Sequence, residues 1–107
     1  MLLEERDYGV RPGTAPRYLQ AWEDLGRRPQ EHHLGRTHGV YVVEVGELNT
    51  VVFHWCFPSF EDRQARRAAL LADEDFAAFR ARVRDLLVSQ RTRLLVRTDH
   101  PAPEEPR

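Results

Sequence analysis

An α+β domain built on a four-stranded antiparallel sheet is the fold class that the sequence predicts, and three observations carry the prediction. The stretch GVYVVEVGELNTVVFHWCFP, Gly39 to Pro58, holds two β-branched and aromatic runs, Val40–Val45 and Thr50–Phe57. They flank the polar Gly46-Glu47-Leu48-Asn49, the pattern of a hairpin with a four-residue loop. Segments of helical apolar periodicity lie before and after that hairpin. One more β-forming run stands at each end of the ordered chain, Leu2–Val10 and Arg91–Thr98.

The length, 107 residues, supports one domain with a real core, assigned here to residues 1–98, with a Pro- and Glu-rich tail, 99–107, expected to be disordered. Hydrophobic residues make up 41% of the chain, the composition of a globular protein. The net charge of −1 favours neither a nucleic-acid partner nor an anionic membrane. All 16 basic residues are arginine, which reads as a GC-rich coding bias of a bacterial source. A single cysteine, Cys56, excludes an intramolecular disulfide, and no Cys/His spacing resembles a zinc site, so no metal is expected. The start MLLEERDY lacks the basic and long apolar parts of a signal peptide, and no run has the length of a membrane span. A soluble cytoplasmic protein is the expectation.

Taken in order, the first strand places Leu2, Glu4, Arg6, Tyr8 and Val10 on one face and Leu3, Glu5, Asp7 and Gly9 on the other. Its polar middle suits either a solvated edge or the wall of a pocket. Thr14 is a good N-cap and Pro16 fits a first helical turn. Tyr18, Trp22 and Leu25 form an apolar stripe, and Gly26 is placed to end that helix as a C-cap. Arg27 to His38 reads as a polar connection or a short second helical piece. Its histidines, His32, His33 and His38, lack the spacing and companions of a metal site and read as solvated.

In the hairpin, Val51, Phe53, Trp55 and Phe57 share one face, and Val52, His54 and Cys56 the other. Both strands are apolar on both sides, so helices should cover one face of the sheet and a second subunit the other. Glu44 and His54 are the ionisable exceptions. A register setting Glu44 opposite Val52 would make them diagonal neighbours and a proton-transfer pair; a shift by one residue would separate them. Cys56 has no basic neighbour in sequence and reads as a small apolar residue.

Ser59-Phe60-Glu61-Asp62 opens a helix with a capping-box-like start. Asp73-Glu74-Asp75 opens another, whose stripe Phe76, Phe79, Val83, Leu86 and Leu87 suggests a helix running to about Ser89. Arg63, Arg66, Arg67, Arg80, Arg82 and Arg84 read as a solvated, salt-bridged face. Strand, helix, hairpin, helical pair, strand is the order of the ferredoxin-like split βαβ arrangement, with helices on one face of the sheet.

The runs VRPGTAPRYLQAW, HHLG, EVGELNTVVFHW, SFEDRQARRAALLADEDFAAF and LLVSQRTRLL resemble the NIPSNAP family of dimeric α/β-barrel proteins, over roughly Met1 to Thr98. The GELN turn with Trp55, and the arginine-rich Asp62–Asp73 segment, are the most specific pieces. The resemblance implies a homodimer with a cleft between sheet and helices for a small molecule. Arg6, Tyr8, Glu44, Asn49 and Trp55 match the family pattern. Where the family usually has histidine and then leucine before the tryptophan, this chain has Phe53 and His54, which moves the imidazole to the opposite strand face. Val42 and Val43 replace two threonines, implying a greasier cleft.

The functional expectation is a protein that binds a small apolar or aromatic metabolite, as in bacterial specialised metabolism. A cofactor-independent enzyme of proton-transfer, cyclase/isomerase or monooxygenase type is one form of it. In that form Arg6 holds or polarises an oxygen, Tyr8 donates a hydrogen bond, and His54 with Glu44 moves a proton, while Tyr41, Trp55 and Asn49 bind the substrate. No cofactor is expected. The rival is a non-catalytic homodimeric interaction protein in which Arg6, Glu44 and His54 form a closed network.

Overall fold

The computed structural model describes residues 1–100. Strand β1 (Leu2–Val10) is followed by helix α1 (Ala15–Ala21), a π-helical turn (Trp22–Gly26) and α2 (Arg27–Leu34). Then come β2 (Gly39–Val42), β3 (Thr50–Phe57), α3 (Phe60–Leu71), α4 (Glu74–Val83) and β4 (Leu87–Val96). The sheet order is β2-β3-β1-β4 and every pairing is antiparallel, the ferredoxin-like α+β fold. Most of the expected tail lies outside the described residues.

One sheet face carries the core. Val10, Val51, Phe53, Trp55 and Phe57 point from β1 and β3 toward the helices and are buried with Trp22, Leu34, Leu70, Phe76 and Phe79. Phe53 is the hub: it meets Trp22 at 5.0 Å between ring centroids, Tyr8 edge-on at 5.7 Å, and Trp55 at 6.5 Å with rings nearly parallel. The starts of α3 and α4 match the caps read from sequence, whereas Thr14 stands at the N-cap of α1 without a side-chain cap bond, its hydroxyl donating to the Arg11 carbonyl at 2.7 Å. Ser59 Oγ accepts from the Asp62 amide, and Asp73 Oδ1 accepts from the amides of Asp75 and Phe76.

Three expectations are corrected. Gly26 does not end a helix. The chain runs through it into α2 and stops at Gly35, whose φ of 88° suits glycine. Gly26 is glycine for another reason: a Cβ there would lie 2.9 Å from the Phe79 ring and from Cδ1 of Trp22, so its bare backbone lets the π-helical turn meet α4. The second correction is at α4, which ends at Val83. Leu86 turns into the core, and its carbonyl accepts from the Arg11 amide; Leu87 starts β4 because β1 offers a free edge to pair with.

The hairpin is the third. β2 stops at Val42, the connection runs from 43 to 49, and Gly46 and Asn49 there take positive φ values of 120° and 59°. Val42 faces Val51, Tyr41 faces Val52 and Gly39 faces His54. The pairing that would have set Glu44 opposite Val52 is not formed.

Candidate functional site

A cleft of about 670 Å³ opens between the inner face of the sheet and the helices. Its floor is Arg6 and Tyr8 of β1 with Gln90 of β4, and Tyr18, Phe76 and Phe79 form an aromatic wall. β1 supplies the floor through strand alternation, since Glu4, Arg6 and Tyr8 share the face that looks at the helices. The pocket-wall reading of β1 is therefore the one realised.

Beneath the cleft lies a charge network. Glu4 is completely buried; its Oε1 accepts from Arg6 Nη1 at 3.1 Å, and its Oε2 accepts from Arg63 Nε. Arg6 Nε donates to the Tyr8 hydroxyl at 2.7 Å. Tyr8 thus accepts from the guanidinium and keeps its own proton to donate to a guest. Burial works against the Arg6 charge, but Tyr8 and Glu4 more than offset it, and the Arg6 pKa is raised. Burial, reinforced by Tyr8, raises the Tyr18 pKa, so Tyr18 stays a neutral phenol at physiological pH.

Arg63 and Arg67 correct the reading of α3 as a solvated arginine face. Arg66 keeps to that surface, bonded to Asp62 at 2.7 Å. Arg63 turns in to Glu4, and Arg67 lines the cleft, with a buried Nη1 that has no hydrogen-bond partner among the described residues. Burial and the like charge of Arg6 lower the Arg67 pKa. A signal for both residues was present in the sequence. They stand four apart, and Leu70, a fully buried residue, lies three beyond Arg67 and seven beyond Arg63, so both occupy the inward stripe of α3.

Of the expected site residues, the structure brings Arg6 and Tyr8 together at the cleft and sets His54 beside Tyr41 elsewhere. His54 lies on the opposite face of the sheet, where its Nε2 is 3.0 Å from Glu5 Oε1 and its ring sits 5.2 Å from that of Tyr41. Glu5 holds the place expected for Glu44. Burial pushes the Glu5 carboxyl up, but hydrogen bonds from His54 and Arg93 prevail and hold it below the usual range. Glu44 is exposed in the hairpin connection, away from both faces, because the longer connection removes it from the ladder. Trp55 is fully buried beside Phe53 and lines no part of the cleft; its Nε1 lacks a partner among the described residues. Asn49 serves the turn, its Oδ1 accepting from the Gly13 amide at 3.0 Å.

Outside the cleft, His33 Nε2 lies 2.7 Å from Asp73 Oδ2 and ties α2 to the start of α4. That bond and the Asp75 amide hold the Asp73 carboxyl below its ordinary pKa. Among the described residues no group of three or more His, Cys, Asp or Glu is placed to hold a metal ion. No helix there is long and apolar enough to cross a membrane. Burial raises the Cys56 thiol pKa, as suits a packing residue better than a nucleophile.

A ferredoxin-like sheet with a polar-floored cleft under its helices defines a class of small α+β proteins. Within that class the chain belongs to the NIPSNAP family, whose model matches residues 3–101. An uncharacterised NIPSNAP domain protein from Burkholderia xenovorans is 31% identical, with a TM-score of 0.90 over 96% of this chain and 100% of that one. A NIPSNAP family protein from Agrobacterium tumefaciens is 35% identical, with a TM-score of 0.87 over 92% of this chain and 93% of its own. An antibiotic biosynthesis monooxygenase shares the fold at 14% identity and a TM-score of 0.64, over 92% of this chain and 99% of that one. No match was found among curated proteins.

Proposed function

We propose that this protein binds a small molecule with an apolar or aromatic body in the cleft between sheet and helices. The observation that carries the reading is the open cleft of about 670 Å³, with an aromatic wall and with Tyr8, hydrogen-bonded to Arg6, on its floor. That volume lies in the range of small-molecule sites, and aromatic walls with a few convergent polar groups are their usual chemistry. The rival reading, a non-catalytic homodimeric interaction protein with Arg6, Glu44 and His54 in a closed network, has no use for the open cleft above Glu4, Arg6 and Arg63.

Tyr8 donates its proton to an oxygen of the guest while Arg6 fixes the phenol and supports charge developing on that oxygen. The catalytic form of the proposal is therefore proton transfer or polarisation at a carbonyl or hydroxyl, centred on Tyr8 and Arg6, without His54 or Glu44. Tyr8→Phe is expected to weaken binding of aryl ketones and phenols by roughly tenfold, the worth of one hydrogen bond, with the fold intact. Calorimetric titration of both proteins decides it. Equal affinities would sink the role of Tyr8, and no binding to the unaltered protein would sink the cleft reading.

The outer sheet face supports homodimerisation. It presents Leu3, Val52, Cys56 and Leu95 beside a ladder in which Glu5 meets His54 and Arg93, and Asp7 lies 4.0 Å from Arg91. Oδ1 of Asp7 is buried there without a partner among the described residues. A second copy packed sheet to sheet covers this face and places Tyr41 and His54 at the interface. Sedimentation velocity is expected to give twice the chain mass, and Leu95→Glu to give one chain mass. A monomeric unaltered protein would overturn the assembly.

A further inference from the structure

The cleft is lined by four arginines, Arg6, Arg67, Arg80 and Arg84, and by no aspartate or glutamate among the described residues. The chain as a whole has 17 acidic and 16 basic residues, so this is a local separation of charge. At the inner end the imbalance is sharpest. Three guanidiniums, Arg6, Arg63 and Arg67, surround one carboxylate, Glu4, and both oxygens of Glu4 are already taken by Arg6 and Arg63.

Arg67 is the cation left over. Its Nη1 is buried with no hydrogen-bond partner among the described residues, on a residue that faces the cleft and feels the like charges of Arg6 and Arg63. A buried guanidinium N–H without an acceptor is expensive, and an oxyanion against the part of Arg67 that lines the cleft supplies the missing charge. Further out, the Arg80 guanidinium lies 5.0 Å from the centre of the Phe76 ring, so charge and aromatic surface adjoin on the same wall.

We infer that the guest of this cleft is an aromatic or apolar carboxylic acid, bound as its carboxylate by Arg67 beside Arg6, with its body against Tyr18, Phe76 and Phe79. This rests on the cleft being a ligand site, as proposed above, and adds the chemical class. The planar fork of Arg67 matches a carboxylate edge in a way that a lysine ammonium does not. Tyr8 then faces a second oxygen of the guest, next to the acid group.

The test uses the full chain and matched aryl pairs: benzoate, cinnamate and naphthoate, each against its neutral amide. The unaltered protein is expected to bind at least one acid tenfold or more tightly than its amide. Arg67→Gln is expected to abolish that preference and Arg67→Lys to restore part of it, both with an unchanged circular dichroism spectrum. Equal binding of acid and amide would overturn the acid assignment while leaving the cleft as a ligand site. A preference that survives in Arg67→Gln would overturn the role of Arg67, and binding of neither member of any pair would overturn the cleft reading itself.

Discussion

Glu4→Ala is expected to lower the unfolding free energy by about 3–5 kcal/mol, the range for breaking a buried ion pair by removing one partner. Glu4 is completely buried, and Arg6 and Arg63 are only 12% and 15% exposed in their side chains. Removing the carboxylate leaves three guanidiniums, Arg67 included, facing one another with no anion, and creates a cavity as well. For a domain whose total stability is on the order of 5–15 kcal/mol, that loss places the variant near unfolding at ambient temperature. Urea denaturation measures it, and Glu4→Gln separates the causes. The amide preserves the volume and one acceptor, so its shortfall from the alanine variant reports packing and hydrogen bonding, and the remainder reports charge. A loss below about 1 kcal/mol for Glu4→Ala would mean that water screens the arginines and that the network is weak, as exposed pairs are.

How far the fold was legible depended on whether a signal was local. Ser59 and Asp73 cap their helices as their types and positions suggest, because an N-cap is decided within four residues. The two faces of β1 also follow from strand alternation alone. Gly26 was misleading because glycine serves helix ends and close contacts equally well, and the contact that requires it, with Phe79, lies more than fifty residues away. The Leu86-Leu87 pair fits a helical stripe or the start of a strand. Only the free edge of β1 decides it.

The site was legible in part for the same reason. Arg6 and Tyr8 stand two apart on one strand, so any register leaves them on one face. The pairing of Glu44 with His54 depended on the hairpin connection, and its actual length moves Glu44 off the ladder and leaves His54 to Glu5 across β1 and β3. Trp55 matched the family pattern as a core residue matches, through packing. Arg63 and Arg67 were hidden by composition: among many helix arginines, only their phase relative to Leu70 marks them as inward-facing. Phe53 and His54 are informative in a different way than their order in sequence suggested. Phe53 is the hub of the aromatic core, and His54 belongs to the face where the second copy is proposed to sit.

Phe79→Ala is expected to cost about 3–5 kcal/mol, as large-to-small changes at buried aromatic positions do. The ring is 2% exposed, meets Tyr18 edge-on at 5.9 Å and Phe76 at 6.1 Å, and covers the bare backbone of Gly26. It also lines the cleft, so the space it vacates opens into the site and is not sealed within the core. Two consequences separate this variant from an ordinary core deletion. Part of the lost stability should return on binding a larger aryl acid, because a guest that fills the vacated space stabilises the folded state by mass action. The preferred guest should also grow, so naphthoate gains relative to benzoate in the variant. Thermal melts with and without each acid, at fixed ligand concentration, read both effects. Identical ranking of naphthoate and benzoate in the two proteins would show that Phe79 packs the core without shaping the cleft, and the aromatic wall of the site would then have to be sought at Tyr18 and Phe76.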